Sequence, residues 1–306
     1  MSPGRKGLIR VVVAVFVALA IGFFAFTIID AWNATNGELP SLARILAAAA
    51  LWTVGLIAGA TAWATLIGGD RRVDHGAALL VSQLAKYVPG GVWQASGQVG
   101  LARALGVRVQ RGATAFSVLA LTQAVAGCTY GLVLAATWTE VGVLLRVVFA
   151  LGALGTLVLI DRRWMVWVLH KIPKTRSASA ELVPSQRAIL ITWAICLVTL
   201  AATSCAYLVL LGSFGPVDQP FLVIGAYAIA WTVGFIAIPI PSGVGIREAV
   251  LATILHGIFP ASVIIAASVY YRLVCVATEG VLAAIASHRV RPSRLAAVAD
   301  DVSDDE

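Results

Sequence analysis

Four charged residues interrupt apolar stretches near the end of the chain. Arg247 and Glu248 directly follow a proline–glycine segment, and Arg272 and Glu279 lie seven positions apart in a long apolar run. A charge inside a membrane segment is expensive and usually functional. Because a guanidinium can bind a phosphate through two parallel hydrogen bonds, these residues indicate an anionic ligand. The structural alternative is an ion pair between helices, Arg247 with Glu279 or Glu248 with Arg272.

The position of Arg247 in its helix supports a ligand. Arg247 and Glu248 fall in the first turn of the helix that should follow the proline–glycine segment. A helix N-terminus carries partial positive charge, so Glu248 is well placed, whereas Arg247 needs an acidic partner or an anionic ligand. Lys86 precedes a similar segment at a predicted helix C-terminus, where the dipole stabilises a cation. That position alone is a sufficient structural reason for Lys86.

Two proline–glycine breaks divide the apolar chain at matching places. They read "VPGGVWQ" and "IPSGVGIRE", and they share Pro-x-Gly-Val at positions 152 residues apart. The helices predicted beside them are too short to cross a bilayer. Paired interruptions in two halves are typical of transport sites, so residues 89–92 and 241–245 should lie close together at membrane depth. The alternative is a pair of surface turns, with Trp93 as an anchor at the membrane interface.

The predicted ligand site combines the residues of both breaks with the nearby charges. A polar run of Gln94, Ser96, Gln98 and Arg103 follows the first break and could line a cavity of headgroup size. The candidate substrate-binding residues are Lys86, Tyr87, Pro89, Gly90, Gly91, Trp93, Gln94 and Arg103 in the first half, and Pro241, Gly243, Gly245, Arg247, Glu248, Tyr271, Arg272 and Glu279 in the second.

Motifs of catalysis and metal binding are missing from the sequence. All four cysteines lie in apolar runs without a CxxC pair, and the chain has no P-loop, HExxH or GxSxG motif. Asp30 and Glu38, eight positions apart in a short connector, are weak support for a glycosyltransferase. The sequence therefore predicts no catalytic residue, no metal and no cofactor, and it favours a protein that is not an enzyme while leaving that question open.

The composition is typical of a polytopic membrane protein. Of 306 residues, 60% are hydrophobic and 12% are charged, whereas soluble domains carry about 25% charged residues. Apolar runs of about 18 residues or more can cross a bilayer. We predict an all-α fold with about seven transmembrane helices, plus short re-entrant or interfacial half-helices. The predicted spans are Val11–Ile29, Ile45–Gly69, Gly112–Thr139, Val141–Ile160, Ala188–Val217, Gln219–Ile246 and Pro260–Ser287.

The basic residues predict the orientation of the chain. If the spans alternate, 18 of the 22 Lys and Arg residues fall on one side, while Arg44 and Arg146 fall on the other. This pattern places the N-terminus, both long loops and the C-tail in the cytoplasm, with the protein in the cell (inner) membrane. It also explains the net charge of +7 without nucleic acid as a partner.

The chain is predicted to form one membrane domain over residues 1–290, followed by a cytoplasmic acidic tail over residues 291–306. A cytoplasmic linker, residues 161–187, joins halves of about 1–160 and 188–290. Both breaks follow a span that should end on the cytoplasmic side. The halves are therefore predicted to form a two-fold internal repeat about an axis along the membrane normal.

The predicted orientation can be tested by cysteine labelling. In a variant without the native cysteines, single cysteines introduced near Asn36 and Asp218 should react with an impermeant reagent added outside the cell. A cysteine near Ser177 should react only after the membrane is permeabilised. Strong external labelling near Ser177 would contradict the orientation.

The two breaks resemble those of the lysylphosphatidylglycerol synthase transmembrane-region family. The resemblance rests on "KYVPGGVWQ" with Arg103, on "PIPSGVGIRE", and on the sequence Tyr271-Arg272-Leu273, and it covers roughly residues 8–287. This family is the membrane part of the multiple peptide resistance factor and also occurs as free-standing proteins. In the full-length factor the membrane part is similar to a lipid flippase, and a soluble C-terminal domain makes the aminoacyl lipid. That synthase activity is not expected of residues 1–306. Relatives are often encoded near envelope-glycan genes.

Two functions follow as expectations. The first is a transporter or flippase for a phosphate-bearing envelope lipid or lipid-linked glycan, in which Arg247, Arg272 and Lys86 meet the phosphate. Glu248 and Glu279 would organise the arginines or bind a proton. The alternative is a catalytic or scaffold subunit of a membrane glycosyltransferase or glycan-assembly system. The partners implied are a membrane lipid or lipid-linked glycan and envelope-biosynthesis enzymes, with the oligomeric state left open.

Overall fold

The computed structural model describes residues 37, 39–87, 93–171, 182–237, 243 and 245–290. Every regular element within these ranges is helical, which confirms the all-α class. The helices are α1 Leu42–Ile67, α2 Arg72–Ser82, α3 Trp93–Ala104, α4 Val109–Thr129, α5 Gly131–Thr137, α6 Val143–Leu157, α7 Arg162–Lys171, α8 Gln186–Leu211, α9 Pro220–Ile236, α10 Ile246–Ile254 and α11 Ala261–Ser287. Short 3-10 turns at Gln83–Tyr87, Val158–Ile160 and Gly212–Phe214 extend α2, α6 and α8.

Five helical segments are long and apolar enough to cross a bilayer, so the chain is a multi-pass membrane protein. They confirm five of the predicted spans, and the predicted span Val11–Ile29 lies outside the described residues. The long helices α1 and α8 begin at serine caps: the Ser41 and Ser185 hydroxyls accept from the backbone N–H groups three residues later. The five segments are Leu42–Ile67, Val109–Thr137, Val143–Ile160, Gln186–Phe214 and Ala261–Ser287.

The prediction that Gln219–Ile246 forms one span is wrong. Helix α9 has only 17 residues and ends at Ile236, and α10 begins at Ile246. The run contains Pro239 and Pro241, and proline cannot continue a helix because it lacks the backbone N–H and clashes with the preceding turn. Apolar length alone ignores this interruption.

Connectors at one end of the bundle define what we call the Arg44 face. Gly212, at the end of α8, lies against the guanidinium of Arg44, near the start of α1. Gly257, after α10, lies beside the carboxylate of Glu140 in the connector between α5 and α6. Residues distant in sequence therefore meet at this end of the molecule.

The opposite end, which we call the Arg111 face, collects a second set of connectors. Gly68, just after α1, lies against the guanidinium of Arg111 in the first turn of α4. At the start of α7 the backbone N–H of Arg162 donates to Gln186 Oε1 at 2.7 Å. Helix α1 joins the two faces and, with 26 residues, spans about 39 Å. The distribution of basic residues predicts that the Arg111 face is cytoplasmic.

Helices α2 and α3 form a helical hairpin, the first hairpin, that enters from the Arg111 face. Near that face Ala77 and Ala78 of α2 pack with Leu105, which follows α3, and with Ala286 and Val290 at the end of α11. Neither α2 nor α3 is long enough to cross a bilayer. The chain therefore enters and leaves the first hairpin at the same face.

Helices α9 and α10 form the second hairpin, which enters from the Arg44 face. Phe259, a few residues after α10, lies against Gly215 in the connector that precedes α9. At the inner end, Gly243 lies against the backbone of Gly234, and the side chain of Arg247 packs on the same glycine. A Cβ at Gly234 would lie 2.7 Å from Arg247 Cγ, so only glycine permits this approach.

The two hairpins enter from opposite faces, so the predicted symmetry axis along the membrane normal is wrong. Each half consists of a span, a hairpin and a further span. In α1 to α4 the first span starts at the Arg44 face, whereas in α8 to α11 the first span starts at the Arg111 face. This is an inverted-topology arrangement, with its axis in the membrane plane, as in many secondary transporters. The prediction failed because it assumed that residues 219–246 cross the membrane completely. A complete crossing would place the second break at the Arg111 face, like the first.

Close contacts at small residues bring the spans together. A Cβ at Gly127 of α4 would lie 1.7 Å from Thr232 Oγ1 of α9, and a Cβ at Gly55 of α1 would lie 2.9 Å from Thr203 Cγ2 of α8. Membrane helices rely on such small residues because hydrocarbon solvent gives little hydrophobic driving force for association. These contacts fix the walls of the space into which the hairpins project.

Candidate ligand cavity

A cavity of about 850 Å³ lies where the inner ends of the two hairpins face each other. Its walls come from α1, α2 with the 3-10 turn that follows it, α3, α4, α8, α9, α10 and α11. The volume is in the range of small-molecule sites. Both hairpins, and the spans that flank them, therefore contribute to one chamber of headgroup size.

An aromatic cluster forms one wall of the cavity. The rings of Tyr207 and Tyr227 are stacked with centroids 5.0 Å apart, and Tyr271 meets Tyr227 edge-on at 5.1 Å. Trp52 of α1 meets Tyr271 edge-on, with ring centroids 5.6 Å apart. The Tyr271 hydroxyl donates to the backbone carbonyl of Thr203 at 3.2 Å. The cluster therefore joins α1, α8, α9 and α11 into a rigid surface.

Glu279 connects the first hairpin to α11. Its side chain is only 1% exposed, and it accepts from Lys86 Nζ at 2.5 Å and from the Tyr87 hydroxyl at 2.9 Å. The proposed pair of Arg247 with Glu279 is therefore not formed. Lys86 is the observed partner because the 3-10 turn after α2 lies directly against α11. Lys86 also lines the cavity, so this ion pair lies at the cavity wall.

Glu248 connects the second hairpin to α11. Its Oε1 accepts from Arg272 Nη2 at 2.7 Å and from Arg272 Nε at 3.0 Å. Its Oε2 accepts from the backbone N–H of Gly245 at 2.7 Å, which caps α10. The ion pair of Glu248 with Arg272 proposed from the sequence is present, and Glu248 occupies the helix N-terminus that suits an anion.

Arg247 lines the cavity without a carboxylate partner in the described ranges. Its Nε is buried and has no hydrogen-bond partner there, and both described ion pairs of the cavity region use other residues. Its guanidinium lies over the Trp231 ring, 5.8 Å from the centroid. This contact stabilises a cation but supplies no hydrogen-bond acceptor. Arg247 thus presents an unmatched positive charge at the first turn of α10.

The described cations near the cavity outnumber the carboxylates by one. No group of three or more His, Cys, Asp and Glu residues suited to a metal ion occurs in the described part of the chain. Of the two carboxylates, Glu279 is occupied by Lys86 and Tyr87, and Glu248 by Arg272 and a backbone N–H. Lys86, Arg247 and Arg272 thus carry three positive charges, against two negative charges on Glu248 and Glu279.

Most of the predicted site residues that the structure describes lie at the cavity. Pro89, Gly90, Gly91 and Pro241 lie outside the described residues. Gly245 and Glu279 do not line the cavity themselves, but they bind Glu248 and Lys86, which do. The predicted residues that line it are Lys86, Tyr87, Gln94, Gly243, Arg247, Glu248, Tyr271 and Arg272.

Trp93 and Arg103 are not brought into the cavity lining. Trp93 is 51% exposed, and Arg103 is also exposed. Arg103 lies nine residues after Gln94 on α3, and at 100° per residue this spacing puts the two side chains on opposite faces of the helix. Because Gln94 faces the cavity, Arg103 faces away from it.

Sequence reasoning missed four aromatic residues of the cavity and two of its glutamines, Gln83 and Gln123. Trp52 and Tyr207 come from two spans, α1 and α8, that carry no break and no charge beside these positions. Tyr227 and Trp231 come from α9, the apolar arm of the second hairpin. A tyrosine within an apolar run is a weak signal in one sequence. Only the packing of α1, α8 and α9 around the hairpins brings these rings together.

One of the comparisons with known proteins identifies the family of the chain. No curated protein and no solved structure is significantly similar to the chain. The family described as "Lysylphosphatidylglycerol synthase TM region" matches residues 8–282, which include both hairpins and nearly all of α11. The chain therefore belongs to the lysylphosphatidylglycerol synthase TM region family.

Proposed function

We propose that this protein moves a phosphate-bearing envelope lipid, or a glycan linked to lipid through phosphate, across the cell (inner) membrane. The observation that carries the proposal is Arg247, a cation that lines the cavity at a helix N-terminus with a buried, unpartnered Nε. A phosphate is the natural match, because helix N-termini and guanidinium groups both favour it. The acyl or prenyl chains would stay in the bilayer while the headgroup occupies the cavity.

The ion pairs around Arg247 support binding more than catalysis by a carboxylate. A carboxylate that acts as general acid or base must lie within hydrogen-bond reach of the substrate, but Glu279 is bound by Lys86 and Tyr87, and Glu248 is bound by Arg272. Those pairs orient the hairpins around the cavity and leave Arg247 for the ligand. A glycosyltransferase or scaffold role is therefore the second candidate. The headgroup-sized cavity favours it, but neither Glu248 nor Glu279 is available as a catalytic carboxylate.

A vesicle assay separates these functions. Purified full-length protein is reconstituted into liposomes with fluorescent phosphatidylglycerol, and an impermeant reductant reports the label that reaches the outer leaflet. Transport predicts that label in the inner leaflet becomes accessible in protein-containing vesicles but stays protected in empty ones. Sugar transfer from a nucleotide donor to lipid, with the inner label protected, would support the enzyme instead. Activity that begins only after an envelope enzyme is added would support the scaffold.

A further inference from the structure

Four glutamines face the cavity around the first hairpin, and we call them the amide wall. Gln83 closes α2, Gln94 and Gln98 lie one turn apart on α3, and Gln123 lies on α4. Gln94 Nε2 donates to Gln83 Oε1 at 3.3 Å. Glutamine amides both donate and accept hydrogen bonds. The amide wall therefore differs chemically from the charged wall around Arg247.

Gln98 has an unsatisfied donor. Its side chain is 1% exposed, and its Nε2 has no hydrogen-bond partner among the residues that the structure describes. A buried polar group without a partner is destabilising, and native proteins rarely leave one unexplained. Gln98 also lines the cavity, so a ligand that contacts this amide would supply the missing acceptor.

The charges limit what that ligand can be. Lys86, Arg247 and Arg272 face the carboxylates Glu248 and Glu279, so the described charges of the site sum to +1. A headgroup with one negative charge, such as a phosphodiester, balances the site. The amide wall itself contains no carboxylate, so a cationic amine placed there would lack an acidic partner. Neutral hydroxyl groups match glutamine amides as both donors and acceptors.

We propose that the amide wall binds a neutral, hydroxyl-rich headgroup joined to lipid through a single phosphodiester. This inference rests on the proposed function, in which Arg247 takes the phosphate. The phosphodiester lies at the Arg247 end, and the hydroxyl groups lie against Gln94 and Gln98. A sugar or inositol ring and a glycerol unit share this chemistry, and they differ in size and in number of hydroxyl groups.

Competitive lipid binding to the purified full-length protein tests the subsite. Phosphatidylinositol, phosphatidylglycerol and phosphatidylethanol carry the same monoanionic phosphodiester, and phosphatidylethanol has no headgroup hydroxyl. Equal amounts are added to the protein in neutral detergent, and the bound lipids are counted by native mass spectrometry. We expect phosphatidylinositol to exceed phosphatidylethanol by roughly three- to tenfold, the effect of one or two hydrogen bonds. If as much phosphatidylglycerol as phosphatidylinositol is bound, the site is of glycerol size. If less phosphatidylglycerol is bound, the site fits a ring.

Gln98→Leu should abolish this preference while leaving phosphatidylethanol binding unchanged. Folding should be retained, because the substitution removes a buried donor that has no protein partner. Gln110→Leu is the matched control, since Gln110 is exposed on α4 outside the cavity. Gln94→Leu provides a second test on the same helix face and should reduce the preference too.

Equal binding of all three lipids, or a preference that survives both Gln98→Leu and Gln94→Leu, overturns the hydroxyl subsite. Either result leaves the proposed transport intact, because phosphate binding at Arg247 is measured by phosphatidylethanol itself. Conversely, absence of movement in the vesicle assay with the preference intact would count against transport but not against the subsite. The hydroxyl subsite and the proposed transport can therefore be disproved independently of each other.

Discussion

Vesicles that contain the Arg247→Met variant should move fluorescent phosphatidylglycerol at least tenfold more slowly than vesicles with the unmodified protein. Methionine keeps an unbranched side chain that can still pack on Gly234 and Trp231, but it cannot bind phosphate. A hydrogen bond to a charged group contributes about 1.5–3 kcal/mol, which corresponds to a rate change of roughly 10- to 150-fold. The measurement is the initial rate in the reductant assay.

Two further variants interpret that result. Arg247→Lys keeps the charge but loses the planar, two-pronged contact, so it should retain folding and lose most of the transport. Arg103→Met is the matched control, because Arg103 is exposed on the face of α3 away from Gln94 and should transport normally. Full transport by Arg247→Met, at equal protein per vesicle, would show that the phosphate site lies elsewhere.

Lys86→Met should be the most destabilising change at the cavity. It leaves Glu279, whose side chain is fully buried, with Tyr87 as its hydrogen-bond donor but without its cation. Removing one partner of a buried ion pair costs about 3–5 kcal/mol, and the remaining Tyr87 contact places the expected loss near 3 kcal/mol. Thermal unfolding of the purified protein in detergent measures this loss.

The double variant Lys86→Met with Glu279→Met should recover much of the lost stability, because a buried pair can often be replaced by apolar groups at little net cost. Glu279→Met alone should cost less than Lys86→Met, since the Lys86 side chain is 22% exposed and can still be solvated from the cavity. If the double variant is no more stable than Lys86→Met, the pair does not act as a unit.

The local chemistry of the second hairpin could be predicted from the sequence. Proline and glycine at the break, followed by Arg247 and Glu248, determine where α10 begins and which charges lie in its first turn. The pairing of Glu248 with Arg272 was one of two options that the sequence left open. Both residues belong to consecutive helices, so a short connection brings them together.

The partner of Glu279 could not be predicted in this way. Lys86 lies 193 positions earlier in the chain, and its distance from α11 depends on how the first hairpin packs between the spans. The direction of the second hairpin was likewise beyond composition and length. An apolar run that crosses once and one that enters and returns bury similar side chains, and only contacts such as Phe259 with Gly215 distinguish them.

Helix α11 forms one ion pair with each hairpin, so both hairpins are attached to the same helix. Glu279 binds the first hairpin through Lys86, and Arg272 binds the second through Glu248, two turns or about 10 Å along the same helix. An axial shift or rotation of α11 would therefore strain both ion pairs together. We therefore expect the positions of the two hairpins to be thermodynamically linked. A ligand that shifts one hairpin would change the free energy of shifting the other, and by reciprocity the position of the second hairpin would change the affinity for that ligand by the same factor.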